Sequence, residues 1–102
     1  MYAVLRLNSF DLDKLAAFPD KLEEFDRIHA SQPDFAGSIV VDLGSGRRFM
    51  VNLWQSEGAS KAAFDRLMPE VDRLLTPLLS APSQFIGAGP VISENVSEAA
   101  GE

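Results

Sequence analysis

The sequence predicts an α+β fold of the ferredoxin-like type, β-α-β-β-α-β around a four-stranded antiparallel sheet. Three observations carry this. Two stretches space their apolar residues as helices do, a pair of β-rich runs joined by Gly44-Ser45-Gly46 lies between them, and a short strand-like run stands at each end. At 102 residues the chain is one domain, spanning residues 1–92, with an acidic tail over residues 93–102.

The elements follow in order. YAVLRLNS, residues 2–9, is a β-prone run ending in polar turn-formers. Leu15, Phe18, Leu22, Phe25 and Ile28 recur at spacings of three and four, which lays one apolar stripe along a helix. Proline suits a first helical turn, so Pro19 predicts a main helix over 19–31, preceded by a looser turn or short helix over 12–18. Gln32-Pro33-Asp34 ends it, because the residue before proline avoids helical angles. SIVVDL, residues 38–43, is β-branched, and RRFMVNLWQ, residues 47–55, returns after the glycine-flanked turn. Ser56 is placed to cap a second helix, whose stripe runs through Ala63, Phe64, Leu67, Val71, Leu74, Leu75 and Leu78. Pro69 is expected to kink or split that helix near Met68. SQFIGA, residues 83–88, reads as the last strand, with Gly87, Gly89 and Pro90 breaking its pairing and Val91-Ile92 left as an apolar arm.

Side chains alternate along a strand, so odd and even positions belong to opposite faces. Ala3, Leu5 and Leu7, like Phe49, Val51 and Leu53, make a uniformly apolar face. Tyr2, Val4, Arg6 and Asn8, like Arg48, Met50, Asn52 and Trp54, make a mixed face of large residues and amides. Two helices cover one face of such a sheet, and the other would remain wet on a monomer. A homodimer packed sheet on sheet is the expected remedy. Parity alone does not say which face the helices take.

Composition narrows the function. The net charge is −6, half of it in the tail, where Glu94, Glu98 and Glu102 stand without a basic residue. The remaining body is mildly acidic and has no basic cluster beyond Arg47-Arg48, which argues against nucleic acid or an anionic membrane as partner. With no cysteine, disulfides and thiolate sites are excluded, in keeping with a cytoplasmic location. No signal peptide and no stretch long enough to span a bilayer is visible. No Asp, Glu and His set has metal-ligand spacing, and the hairpin glycines precede no helix that could cradle phosphate.

Several segments resemble the antibiotic biosynthesis monooxygenase family of the dimeric α/β-barrel superfamily. They are RLNSF, SQPDFAGS, the hairpin VVDLGSGRRFMVNLWQS, the helix entry SEGASKAAF and the closing APSQFIGAGPVI, with a W-x-S-x-x-A pattern at Trp54, Ser56 and Ala59. The resemblance covers residues 2 to 92. It implies a dimeric barrel with a cavity between sheet and helices, and so puts the mixed face toward the helices. It also implies a cofactor-free oxygenase acting on a small aromatic or phenolic substrate, with Asn8 and Trp54 in the catalytic positions and no metal or cofactor. Asn52, Arg6 and Met50 share their face and are the candidate substrate contacts. The superfamily also holds heme-degrading enzymes with a proximal histidine on the second helix. Between Ser56 and Ser80 this chain has no histidine, cysteine or tyrosine, so heme degradation is disfavoured.

Each candidate has a plainer reading. Trp54 can be core, Asn8 a turn cap, Asn52 a cross-strand partner, Arg6 and Arg48 solvated cations, and Tyr2 a packing residue. His29, the one histidine, reads first as a helix-end residue interacting with the dipole, and second as a general base. Beside the oxygenase stand a non-oxygenase ligand-binding or isomerase-type barrel and a plain interaction module.

Overall fold

A strand that is greasy on one face and amide-bearing on the other needs partners on both sides, and β1 (Tyr2–Ser9) finds them at the centre of the sheet. The computed structural model describes residues 1–95, and the sheet order is β2-β3-β1-β4. β2 is Phe35–Gly44, β3 is Arg47–Trp54 and β4 is Gln84–Pro90, and every pairing is antiparallel. Three helices complete the chain: α1 (Leu12–Ala17), α2 (Pro19–Ala30) and α3 (Glu57–Glu70). This is the predicted ferredoxin-like α+β arrangement. The expected tail over residues 93–102 falls mostly outside the described residues.

Local chemistry explains the boundaries. Asp11 caps α1 by accepting from the N–H groups of Asp13 and Lys14, and Pro19 occupies the first turn of α2. Ser56 Oγ accepts from the Ala59 N–H at 3.1 Å and starts α3. The β2–β3 turn takes positive φ at Gly44, Ser45 and Gly46. A side chain at Gly46 would collide with the Phe10 carbonyl, since Phe10 N–H donates to Gly46 O at 2.8 Å and ties the turn to the end of β1.

Three expectations are corrected. β2 begins at Phe35, because positive φ at Asp34 and Gly37 lets the chain leave α2 and join the sheet through a bulge. Pro69 does not break α3 near Met68. The helix runs through it to Glu70, and the disturbance appears one step later as a π turn over Val71–Leu75, then a 3₁₀ turn over Thr76–Leu78. Gly87, Gly89 and Pro90 do not end β4 pairing. They lie opposite Leu5, Ala3 and Tyr2, where small residues and an edge proline are tolerated, and the irregularity is a bulge opposite Leu5/Arg6.

The core comes in two parts on the helix side. Phe10, Phe25, Leu74, Leu75 and Leu78 form one cluster, and Trp54, Ala63 and Leu67 form the other, with Ile28 touching both. The sheet's far side has no such cover in the single chain. Ile39, Val41 and Leu43 are exposed there, while Leu5, Leu7, Phe49, Val51 and Leu53 are half-buried. Among the described residues no helix is long and apolar enough to cross a membrane.

Candidate functional site: a cavity under the helices

Because the helix-side core is split, the sheet and the helices do not close on each other between its halves. The space left is a cavity of about 910 Å³, a volume typical of small-molecule sites. Val4, Arg6, Asn8, Met50, Asn52 and Trp54 line it from the sheet. The mixed face is therefore the helix-facing one. Asn8 and Trp54, 2% and 3% exposed, form its floor, whereas Phe64, Met68 and Asp72 lie at the exposed rim.

The five strand residues singled out from sequence reach one cavity, but they are spread along it. The register sets Trp54 opposite Tyr2, Asn52 opposite Val4, Met50 opposite Arg6, and Asn8 opposite Arg48. At about 3.3 Å per residue, Asn8 and Trp54 stand roughly 20 Å apart along the strands. One ring does not touch both, whereas Asn52 and Trp54, two positions apart on β3, can share a ring.

Two polar atoms are costly where they are. Asn8 Nδ2 donates to Met50 Sδ at 3.0 Å, a weak acceptor, while Asn8 Oδ1 and Asn52 Oδ1 are sealed from solvent with no hydrogen-bond partner. Each such orphan costs about 1–3 kcal/mol. Among the described residues Asn8 caps no turn, its one side-chain bond crossing to Met50 on β3, and Asn52 makes no side-chain hydrogen bond to a neighbouring strand.

Charge enters from the middle of the wall. The Arg6 guanidinium lies 5.8 Å from the Phe64 ring centroid and 5.5 Å from that of Phe85, and burial lowers its pKa. It is held between rings rather than solvated. Arg48 instead lies over Phe10 at 5.1 Å, outside the main cavity. Tyr2 Oη donates to Glu57 at 3.3 Å at the strand end.

The helices add what strand parity could not reveal. His29 and Phe35 meet Trp54 edge-on, at 5.4 and 5.5 Å between centroids, and His29 meets Phe35 at 5.3 Å. His29 is in the last turn of α2 as expected, yet burial lowers its pKa and favours the neutral ring, so the dipole role does not fit. The signal was present: His29 is four residues after Phe25, on the same helix face. Asp26 also lines the cavity, its pKa raised by burial and partly restored by Arg48. Among the described residues no group of His, Cys, Asp and Glu could hold a metal ion.

No protein-family model and no curated protein matches the chain. Solved structures do. A proposed antibiotic biosynthesis monooxygenase from Nitrosomonas europaea superimposes with a TM-score of 0.70 at 12% identity, covering 91% of this chain and 100% of that one. The fold is the one these monooxygenases share. A mutant of SnoaB, a cofactor-independent oxygenase from Streptomyces nogalater, matches with a TM-score of 0.71 at 14% identity over 91% of this chain and 94% of its own. A mutant of MhuD, solved with two manganese protoporphyrin IX molecules per active site, matches with a TM-score of 0.67 at 14% identity, over 95% and 100%. At these identities the likeness is one of fold. The neighbours differ in what they hold.

Proposed function

We propose that the cavity binds an aromatic phenol or anthrone-like molecule and that the chain is a cofactor-independent monooxygenase. The observation that carries this is the pair of buried amides with unpartnered carbonyl oxygens, Asn8 and Asn52, on the same wall as Trp54. A carboxamide oxygen is an acceptor suited to a hydroxyl donor, and an indole can offer an aromatic guest its ring and its N–H. Such substrates, once deprotonated, reduce dioxygen themselves. In an anthrone the methylene becomes a carbonyl, one O₂ is consumed and one water is released. The protein's share is to bind, deprotonate and exclude water. Arg6, half-buried in the wall, favours the anionic form of the guest.

The same reading includes a homodimer. The exposed Ile39 and Val41 lie opposite Val51 and Phe49, so the far face is a continuous apolar surface that a second copy would cover. The absence of cysteine suits a reducing, cytoplasmic setting. Heme degradation is not supported, because α3 and the turns after it carry no histidine, cysteine or tyrosine. A barrel that binds the same guest without oxygen chemistry is the second reading, favoured by a cavity whose amides need only a donor.

An oxygen electrode separates them. Wild type with anthrone or a quinol is expected to consume O₂ above background, and Asn52→Ala or Trp54→Phe to lower the rate by about tenfold or more, as expected for lost positioning groups. Saturable binding with no O₂ uptake would favour the second reading.

A further inference from the structure

Asn8, Asn52 and Trp54 hold a guest but remove no proton, since a carboxamide and an indole are not bases at neutral pH. Four cavity-lining side chains titrate or carry charge: Arg6 from β1, Asp26 and His29 from α2, and Asp72 from the π turn. Arg6 has no basic form within reach, Asp72 is exposed at the rim, and Asp26 lines the cavity from a side chain that is only partly buried, whereas His29 is in contact with Trp54. The rings against His29 are uncharged, Phe25 from α2, Phe35 from β2 and Trp54 from β3, and α3 lines the same cavity with the uncharged Ser60, Phe64 and Leu67.

His29 is placed differently. Its ring leans on Trp54 and Phe35, where an aromatic guest against Trp54 would lie. Among the described residues neither of its nitrogens has a hydrogen-bond partner, yet neither is among the sealed side-chain atoms, so both remain within reach. We propose that His29 is the proton acceptor of this cavity: a ring nitrogen takes the proton of an acidic O–H or C–H on an aromatic guest held against Trp54. The bonding pair stays on the guest's oxygen or carbon, and His29 becomes imidazolium. Dioxygen takes no part in this step. Burial keeps the resting ring neutral and able to accept. Arg6 and Asp26, the latter three residues before His29 on α2, line the same cavity and supply one charge of each sign to it. The assignment rests on the cavity being a guest site, but not on oxygenation.

A nitrophenol, whose neutral and ionised forms absorb differently, tests it with the full chain. His29 is the only histidine, so its ring resonance is unambiguous in NMR. In wild type below the free phenol's pKa, bound nitrophenol is expected to show the ionised spectrum while the His29 resonance moves to the imidazolium position. In His29→Gln the affinity stays within about threefold, but ionisation of the bound phenol needs a pH about one unit higher, a tenfold change in its constant. Where anthrone is turned over, the same variant lowers kcat about 100-fold, within the usual range for a general base. Equal ionisation in both proteins overturns the proposal, as does a wild-type His29 resonance that does not move. If nitrophenol is ionised on His29 while no substrate consumes O₂, the proton acceptor stands and the oxygenase reading falls. If nitrophenol does not bind, both fall.

Discussion

The two faces of the sheet are built from alternate residues of the same strands, and they spend their side chains in opposite ways. The helix-facing side buries Asn8, Asn52 and Trp54 and leaves two carbonyl oxygens without partners. Among the described residues the far side buries no side-chain polar atom without a partner, yet it leaves Ile39 and Val41 about half exposed. One face sacrifices stability to keep a polar cavity, and the other is stable in all but its contact with water. The difference teaches that local stability and function divide here by parity, so substitutions one residue apart should have unrelated consequences.

The strongest test of that contrast is Trp54→Ala. Trp54 is 3% exposed and packs with Ala63, Leu67 and Phe35, so truncation should cost about 3–5 kcal/mol in chemical denaturation. A cost below about 1 kcal/mol would mean the indole is a free cavity wall and not also core.

Next in size is Val51→Asp, at the centre of the far face between Leu5 and Ile39. A charge buried in the proposed dimer should weaken association on the order of 100-fold, about 3 kcal/mol, in sedimentation equilibrium. Unchanged association would remove the sheet-on-sheet dimer.

Smaller, and opposite in sign, is Asn52→Leu. Replacing an orphaned amide by an apolar group of similar shape should raise stability by about 1 kcal/mol while weakening phenol binding. Loss of stability instead would show that Asn52 has a partner and that the cavity face carries no such cost.

The pH response should be smallest. Burial holds His29 below 6.5, so as pH falls beneath that value the unfolded chain takes up a proton that the folded chain refuses, and stability drops. His29→Gln should abolish that decline between 6.5 and the depressed value. Asp26 runs the other way. Its pKa lies above 3.8, so its proton favours the folded chain at low pH and that benefit is gone at neutrality. Asp26→Asn should therefore raise Tm at neutral pH, with the gain vanishing toward pH 3.8.

What was legible in the sequence followed from the strand period. A repeat of two assigns Asn8 and Arg6 to the mixed face of β1, and Met50, Asn52 and Trp54 to the mixed face of β3, without knowing any partner. Their roughly 20 Å spread was not legible, because it depends on the register of β1 against β3, which the pattern of one strand does not fix. The inward packing of His29 is hidden from the sequence for a related reason. The phase of α2 decides whether a residue beside the apolar stripe points to water or inward, and the rings of Phe35 and Trp54 that receive it come from elsewhere in the chain. The persistence of α3 through Pro69 reflects the π turn after it, where packing of Leu74 and Leu75 outweighs local preference.

Fluorescence of Trp54 tests the central claim, a cavity face kept for an aromatic guest, most directly, since it is the only tryptophan in the chain. Titrating the protein with anthrone or a naphthol should quench that emission saturably, with one site per chain. Quenching that rises linearly without saturation, as for free indole in solution, would contradict it.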